Sequence, residues 1–355
     1  MGASSVGVSS GAIAKGGGGL ADFLKAARPQ PHERLKPLPV QLAEMARLHT
    51  ARGIGPRYYL IAGLNRTDVR GDAVVGHINA DEYRRFIRRV NPPEQRAPLN
   101  SKVEQKRRLV AAGLPTPAPI YGADEAADPA ALAAALARHV GERIAVKPAS
   151  SFGGEGFRSF VVQQDNGLWL ADASAGVRLR PHELADAMGG SLIVETYLRQ
   201  HPWYAGVNAS SVNTWRIWVM RGPAGRGESV LAYLRMGRAG SSVDNMGGGG
   251  LYAPLRADGV IGAGQDGSIF RRRFAAHPDS GVMLEGARPP FVAEAIALAE
   301  RTLDAIPELA FAGMDIAIAP DGPVVIEINP EPDRMGAARV GLPFRHWLSQ
   351  RGIEP

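Results

Sequence analysis

The segment GMDIAIAPDGPVVIEINPEP, residues 313–332, sets Asp315, Glu327 and Asn329 among isoleucines and valines. Its alternating pattern predicts two antiparallel strands. Between them, Pro320-Asp321-Gly322 predicts a three-residue loop, with proline at the first corner and glycine in the left-handed position. That loop pairs Ala319 with Pro323. Counting outward brings Asp315 opposite Glu327 and puts Asn329 on the same face as Glu327. Ile316, Ile318, Val324, Ile326 and Ile328 are then expected on the core face. Facing carboxylates repel, and without a cation the pair raises a pKa or weakens the sheet. A hard dication such as Mg²⁺, which takes oxygen ligands and bridges carboxylates to phosphates, removes the conflict. The residues therefore point to a Mg²⁺–phosphate site. An exposed polar face on an edge hairpin fits them as well.

A second stretch, VKPASSFGGEGFRSF from Val146, joins two predicted strands. Its Ser150, Ser151, Gly153 and Gly154 can bring backbone N–H groups against phosphates. Lys147, at the end of an apolar strand, can add a point charge. A plain flexible hairpin with a snorkelling lysine is the alternative. The G-x-x-x-x-G-K-[ST] phosphate loop is absent, and GAGQDG (262–267) lacks the βαβ context of a dinucleotide site, so it is expected to be a turn.

The elements that must position these residues alternate between helix and strand. Helices are expected in VQLAEMARLHTARG, in ADEYRRFIRRV, in NSKVEQKRRLVAAG with its Asn/Ser cap, in DPAALAAALARHVG and in PFVAEAIALAERTLDAI. Strands are expected in RIAVKP, FRSFVVQ, SLIVETYL, VNTWRIWVM and SVLAYLRMG. This order favours α+β lobes over a doubly wound parallel sheet. The organisation expected is a flexible Gly/Ser/Pro-rich tail over 1–37, a small, mostly helical N-terminal region over 38–115, a lobe with the glycine loop over 116–200 and a C-terminal lobe with the hairpin over 201–355.

The chain has 355 residues, with 45% hydrophobic and 21% charged, an ordinary globular mixture. Its 41 basic and 35 acidic residues leave a formal charge of +6. That mild excess suits a phosphate-bearing or acidic small ligand better than nucleic acid, whose partners cluster charge more strongly. The absence of cysteine excludes disulfides, thiolate chemistry and zinc–sulfur sites. No apolar run reaches membrane-spanning length, and the N-terminus makes a poor secretory signal, so a cytoplasmic protein is expected.

Together the motifs resemble the ATP-grasp superfamily in their usual order: a lysine ahead of GLPTP, the VKP lysine, the Ser/Gly loop, an apolar strand ending in Glu, an arginine strand and a terminal D…E-x-N hairpin. NTWR, DNMGGGG, AHPDSG and EIN are similar to blocks of the sugar-transfer associated branch, which is akin to α-L-glutamate ligase-like enzymes. The resemblance spans about residues 40–345. EINPEPD departs from it, since many relatives carry proline-glycine after the asparagine. The resemblance implies an ATP-grasp fold, with two α+β lobes gripping ATP and Mg²⁺. It implies that Lys102 and Lys147 contact phosphates under a loop of Ser150, Ser151, Gly153 and Gly154. Glu195, with the backbone of Thr196, Tyr197 and Leu198, would line the adenine pocket. Arg216 would stabilise the transferred phosphoryl group. Asp315, Glu327 and Asn329 would hold Mg²⁺, and Asn213, Arg235 and Asn245 would face the acceptor. The activity implied is an ATP-dependent ligase joining a carboxylate to an amine, from small molecules or peptides, through an acyl phosphate. A phosphotransferase on the same scaffold and a non-catalytic glycan-binding module are the alternatives.

Overall fold

The computed structural model describes residues 20–28, 33–151, 154–172 and 176–355. Among the described residues, thirteen strands form two antiparallel sheets. The first holds β1 (Pro119–Ala123), β2 (Arg143–Pro148), β3 (Arg158–Gln164), β4 (Leu168–Asp172), β5 (Val177–Leu179) and β6 (Leu192–Thr196), in the order β1-β6-β2-β3-β4-β5. The second holds β7 (Thr214–Arg221), β8 (Gly227–Met236), β9 (Leu251–Pro254), β10 (Gly264–Asp266), β11 (Arg273–Phe274), β12 (Phe311–Ala319) and β13 (Gly322–Asn329), in the order β11-β10-β9-β8-β7-β12-β13. The GAGQDG stretch read as a turn contains β10, which pairs with β9.

Both sheets pack against helices. Ile144, Val146, Leu192 and Val194 of the six-stranded sheet pack with Leu132, Leu136 and Leu184 of helices Pro129–Leu136 and Pro181–Ala187. In the seven-stranded sheet, Trp215, Ile217, Met314 and Ile316 pack with Leu298 and Leu303 of helix Val292–Asp304. The opposite face of that sheet carries Trp218, Tyr233 and Phe311, covered by Phe86 and Phe344. Strand parity therefore leaves Arg216, Arg235 and Asp315 on the aromatic face, beyond the end of the aromatic cluster.

Helix Lys102–Ala111 spans the two sheets. Ser101 caps it by accepting from the Glu104 N–H at 3.0 Å. Gln105 clamps β13 by donating to the Ile328 carbonyl and accepting from the Ile328 N–H, each at 2.8 Å. Lys106, one turn from Lys102, reaches Glu195 on β6. Within the stretch read as a tail, Leu20–Ala26 form a short helix with Ala26 buried, and Glu33 pairs with Arg271 at 2.5 Å. Residues 1–19 and 29–32 lie outside the described residues.

The hairpin reaches the expected pairing by another route. Ala319 pairs with Gly322, not Pro323, so the loop is only Pro320-Asp321. A bulge between Asp315 and Ile316 then restores Asp315 opposite Glu327. The extra residue changes the expected faces. Val325 and Ile328 take the core side, while Ile326 turns with Glu327 and Asn329 toward a cavity. Among the described residues, no helix is long and apolar enough to cross a membrane.

Candidate functional site

Between the sheets lies a cavity of about 960 Å³, counting open solvent at its mouth. β2 and β6 give one wall, with Lys147, Glu195 and the run Thr196–Leu198. β7, β8, β12 and β13 give the other, with Arg216, Arg235, Asp315, Glu327 and Asn329. Lys102 enters from the bridging helix, and Ser151, Gly154 and Asn245 close the rim.

Two sequence-named residues, Ser150 and Asn213, fall outside the cavity lining. Ser150 is exposed and outside the cavity lining. Gly153 lies outside the described residues. Asn213 does not line the cavity. It is fully buried, and its amide donates to Gln200 Oε1, the Tyr204 carbonyl and the Asn208 carbonyl while accepting from the Gly237 N–H. With both ends of the amide occupied, Asn213 ties together the loops before β7 and after β8.

Lys106 and Asp244 were missed. Lys106 Nζ and Lys147 Nζ each sit 2.6 Å from a different oxygen of Glu195. Burial alone would push the Glu195 carboxyl up, but the two lysines outweigh it and hold the group below the usual glutamate range. Burial also lowers Lys106, against the pull of Glu195. The helical spacing of Lys102 and Lys106 was visible in the sequence; that Lys106 meets Glu195 while Lys102 meets Glu327 was not.

Two arginines hold Asp315. Arg216 donates through Nε at 2.5 Å and Nη2 at 3.0 Å, and Arg235 through Nη2 at 3.1 Å. Burial raises the Asp315 carboxyl, but Arg216 and then Arg235 override it, so the group stays below the ordinary aspartate value. Asp244 shares Arg235 at 3.1 Å and accepts from Thr214 N–H and Oγ1–H at 3.0 and 2.5 Å. There burial wins, and the carboxyl is raised. Lys102 Nζ lies 3.3 Å from Glu327 Oε1 and also donates to the Ser151 carbonyl. The expected repulsion between Asp315 and Glu327 is thus relieved by side-chain cations.

Among the described residues, no three His, Cys, Asp or Glu side chains converge to hold a metal. The hairpin still presents two carboxylates and the Asn329 amide to one cavity. That all-oxygen set fits a hard dication drawing its other ligands from phosphate and water. Gly154, at φ +77°, marks where the rim closes: a Cβ there would stand 2.8 Å from Val243 Cγ1 on the loop after β8.

Among solved structures, the chain is similar to N5-carboxyaminoimidazole synthase from Aspergillus clavatus, in complex with ADP and 5-aminoimidazole ribonucleotide, at 12% identity and a TM-score of 0.39, covering 68% of this chain and 46% of that one. It is similar to L-amino acid ligase from Bacillus licheniformis at 13% identity and a TM-score of 0.42, covering 74% and 49%. D-alanine–D-alanine ligase from Bacillus anthracis, complexed with ATP, gives 14% identity and a TM-score of 0.38, covering 66% and 55%. The chain thus spans about half the length of these solved chains. No curated protein matches it. The model of the sugar-transfer associated ATP-grasp family matches residues 81–342, which include the bridging helix, both sheets and the acidic hairpin, and the chain belongs to that family.

Proposed function

We propose that the protein is an ATP-dependent carboxylate–amine ligase. The observation that supports this most is the convergence of Lys102, Lys147 and Arg216 with Asp315, Glu327 and Asn329 on one cavity between two sheets. In this reading residues 116–200 and 201–355 are the gripping lobes, with the helical region 38–115 ahead of them. Lys102 and Lys147 bind phosphate oxygens, and the rim at Ser151 and Gly154 covers them. Glu195 and the backbone of Thr196, Tyr197 and Leu198 line the adenine end. Asp315, Glu327 and Asn329 would hold Mg²⁺, which when bound offsets charge on the phosphate oxygens.

A substrate carboxylate oxygen attacks the γ-phosphorus in line, and the bond to the ADP oxygen breaks. Arg216 stabilises the charge that spreads over the transferred group. An amine then attacks the acyl carbon, inorganic phosphate leaves and an amide remains. Arg235 and Asn245 orient the acceptor. Closure of the rim excludes water that would hydrolyse the acyl phosphate. No covalent enzyme nucleophile is required.

The first test is binding. Mg·ATP at a hundred times its Kd should raise stability by about 2.7 kcal/mol, read as a shift in thermal melting; no shift would remove the nucleotide reading. The second is chemistry. A cell extract incubated with protein and ATP should yield a product whose mass equals two extract components less water, with free phosphate released. A product heavier by one phosphoryl group, with no phosphate released, would establish a phosphotransferase instead.

A further inference from the structure

Each cation facing the cavity is engaged by an acid of the same wall or its neighbour. Lys102 is held by Glu327, Arg216 by Asp315, Arg235 by Asp315 and Asp244, and Lys147 by Glu195. Two of these acids, Asp315 and Glu327, belong to the proposed metal set, and two of their partners, Lys102 and Arg216, belong to the proposed phosphate set. The groups meant for a dication and the groups meant for a triphosphate therefore neutralise each other in the free protein.

We infer that the Lys102–Glu327 and Arg216–Asp315 pairs make the site select metal-complexed nucleotide over free nucleotide, by an exchange of partners. This rests on the nucleotide reading above. Free ATP must draw Lys102 and Arg216 from their acids, leaving Glu327 uncompensated and Asp315 with only Arg235, which Asp244 shares, beside a polyanion. A dication alone must take the acids and strip two largely buried cations. Either half-exchange strands charge in a water-poor site, where an unpaired ion is costly. When both ligands enter, every group regains an opposite charge. The coupling is reciprocal: each ligand raises affinity for the other by the same factor.

The consequence runs against a simple metal-ligand role for Glu327, which predicts only loss on substitution. Under partner exchange, Glu327→Gln frees Lys102 and removes a negative charge from the phosphate path. Metal-free ATP should then bind more tightly than it does to the unaltered chain.

Calorimetry on the full chain tests this with three probes: ATP in excess EDTA, Mg·ATP, and Mn²⁺ alone. The unaltered protein should bind Mg·ATP at least about tenfold more tightly than metal-free ATP. Glu327→Gln should gain about tenfold for metal-free ATP and lose most of the preference for the metal complex. Lys102→Met, which frees Glu327, should bind Mn²⁺ alone about tenfold more tightly. Circular dichroism and thermal melting check that each variant is folded; if Glu327→Gln is not, the Mn²⁺ result with Lys102→Met decides. Metal-free ATP binding that is unchanged or weaker in folded Glu327→Gln, or unchanged Mn²⁺ binding in Lys102→Met, overturns the inference while leaving the nucleotide reading intact. If the unaltered chain binds neither ATP form, the nucleotide reading fails first.

Discussion

Glu195 shows how a buried carboxylate stays charged. Its side chain is 2% exposed, and each oxygen has its own lysine. Such an arrangement is net stabilising only while both partners remain, because desolvation is severe. Lys106→Met should therefore lower unfolding free energy by about 3 kcal/mol, measured by urea denaturation. Adding both Glu195→Gln and Lys147→Met should recover much of the loss, because no ion of the group is then left without a partner. A Lys106→Met variant within experimental error of the parent would show that Lys147 alone suffices. The acids also set the pH response. Glu195 and Asp315 are depressed in the fold, from ordinary values of 4.5 and 3.8. Their stabilisation is fully present above those values and is lost as pH falls through them toward the lower folded values. Asp244 has the opposite sign. Its carboxyl is raised by burial, so the stability it contributes is present below the ordinary value of 3.8 and is lost as pH rises through its folded value. Unfolding midpoints of the parent should therefore drop below about pH 5. Asp244→Asn, which stays neutral, should lose the decline that Asp244 produces as pH rises through its folded value. A variant that keeps the parent's profile throughout would contradict this account of Asp244.

At the scale of the element, the hairpin β12–β13 carries the acids, and its packing leaves no room for a side chain at Gly313. A Cβ there would lie 2.8 Å from Pro332 Cβ and 3.4 Å from Arg216 Cδ. Gly313→Ala should thus cost about 1–3 kcal/mol by overpacking and displace the Arg216 stem from Asp315. Urea denaturation reads the first effect. The second appears as weaker Mg·ATP binding, beyond what stability alone explains; unchanged values of both would show that Pro332 and the segment after β13 yield easily. The same hairpin shows what sequence reveals. Alternation identified both strands and the residue opposite Asp315. It did not reveal that a tighter loop and a compensating bulge make that pairing, nor that Ile326 therefore faces the cavity. A bulge has no period of its own, and here its effect cancels the error in loop length. Helix Lys102–Ala111 was legible because its Ser101 cap and helix formers lie within the segment itself. The burial of Asn213 was not, because its partners sit on loops that meet only in the folded chain.

For the whole molecule, the seven-stranded sheet is fastened to the N-terminal helices through Arg271. This residue adopts φ 45°, is 5% exposed and donates to the Leu60 carbonyl, Asn65 Oδ1 and Glu33. Around it Ile269 and Phe270 pack with Tyr59, Leu60 and Leu64. A non-glycine residue at positive φ is strained, and it persists where surrounding contacts fix it. Among the described residues, Glu33 supplies the negative charge that pairs with that guanidinium, beside the neutral acceptors of Leu60 and Asn65. Composition made residues 1–37 read as a loose tail, since a single glutamate in a Gly/Ser/Pro-rich stretch carries no sign of a partner more than two hundred positions away. Glu33→Ala should leave the guanidinium with neutral acceptors only and lower unfolding free energy by about 3 kcal/mol. Because neither Glu33 nor Arg271 lines the cavity, Mg·ATP affinity of the folded variant should stay unchanged. Denaturation and calorimetry on the same protein separate these outcomes. Loss of stability with affinity retained assigns Glu33 to fastening the helical region onto the sheet. Loss of affinity in the folded variant would instead tie the N-terminal helices to the geometry of the cavity.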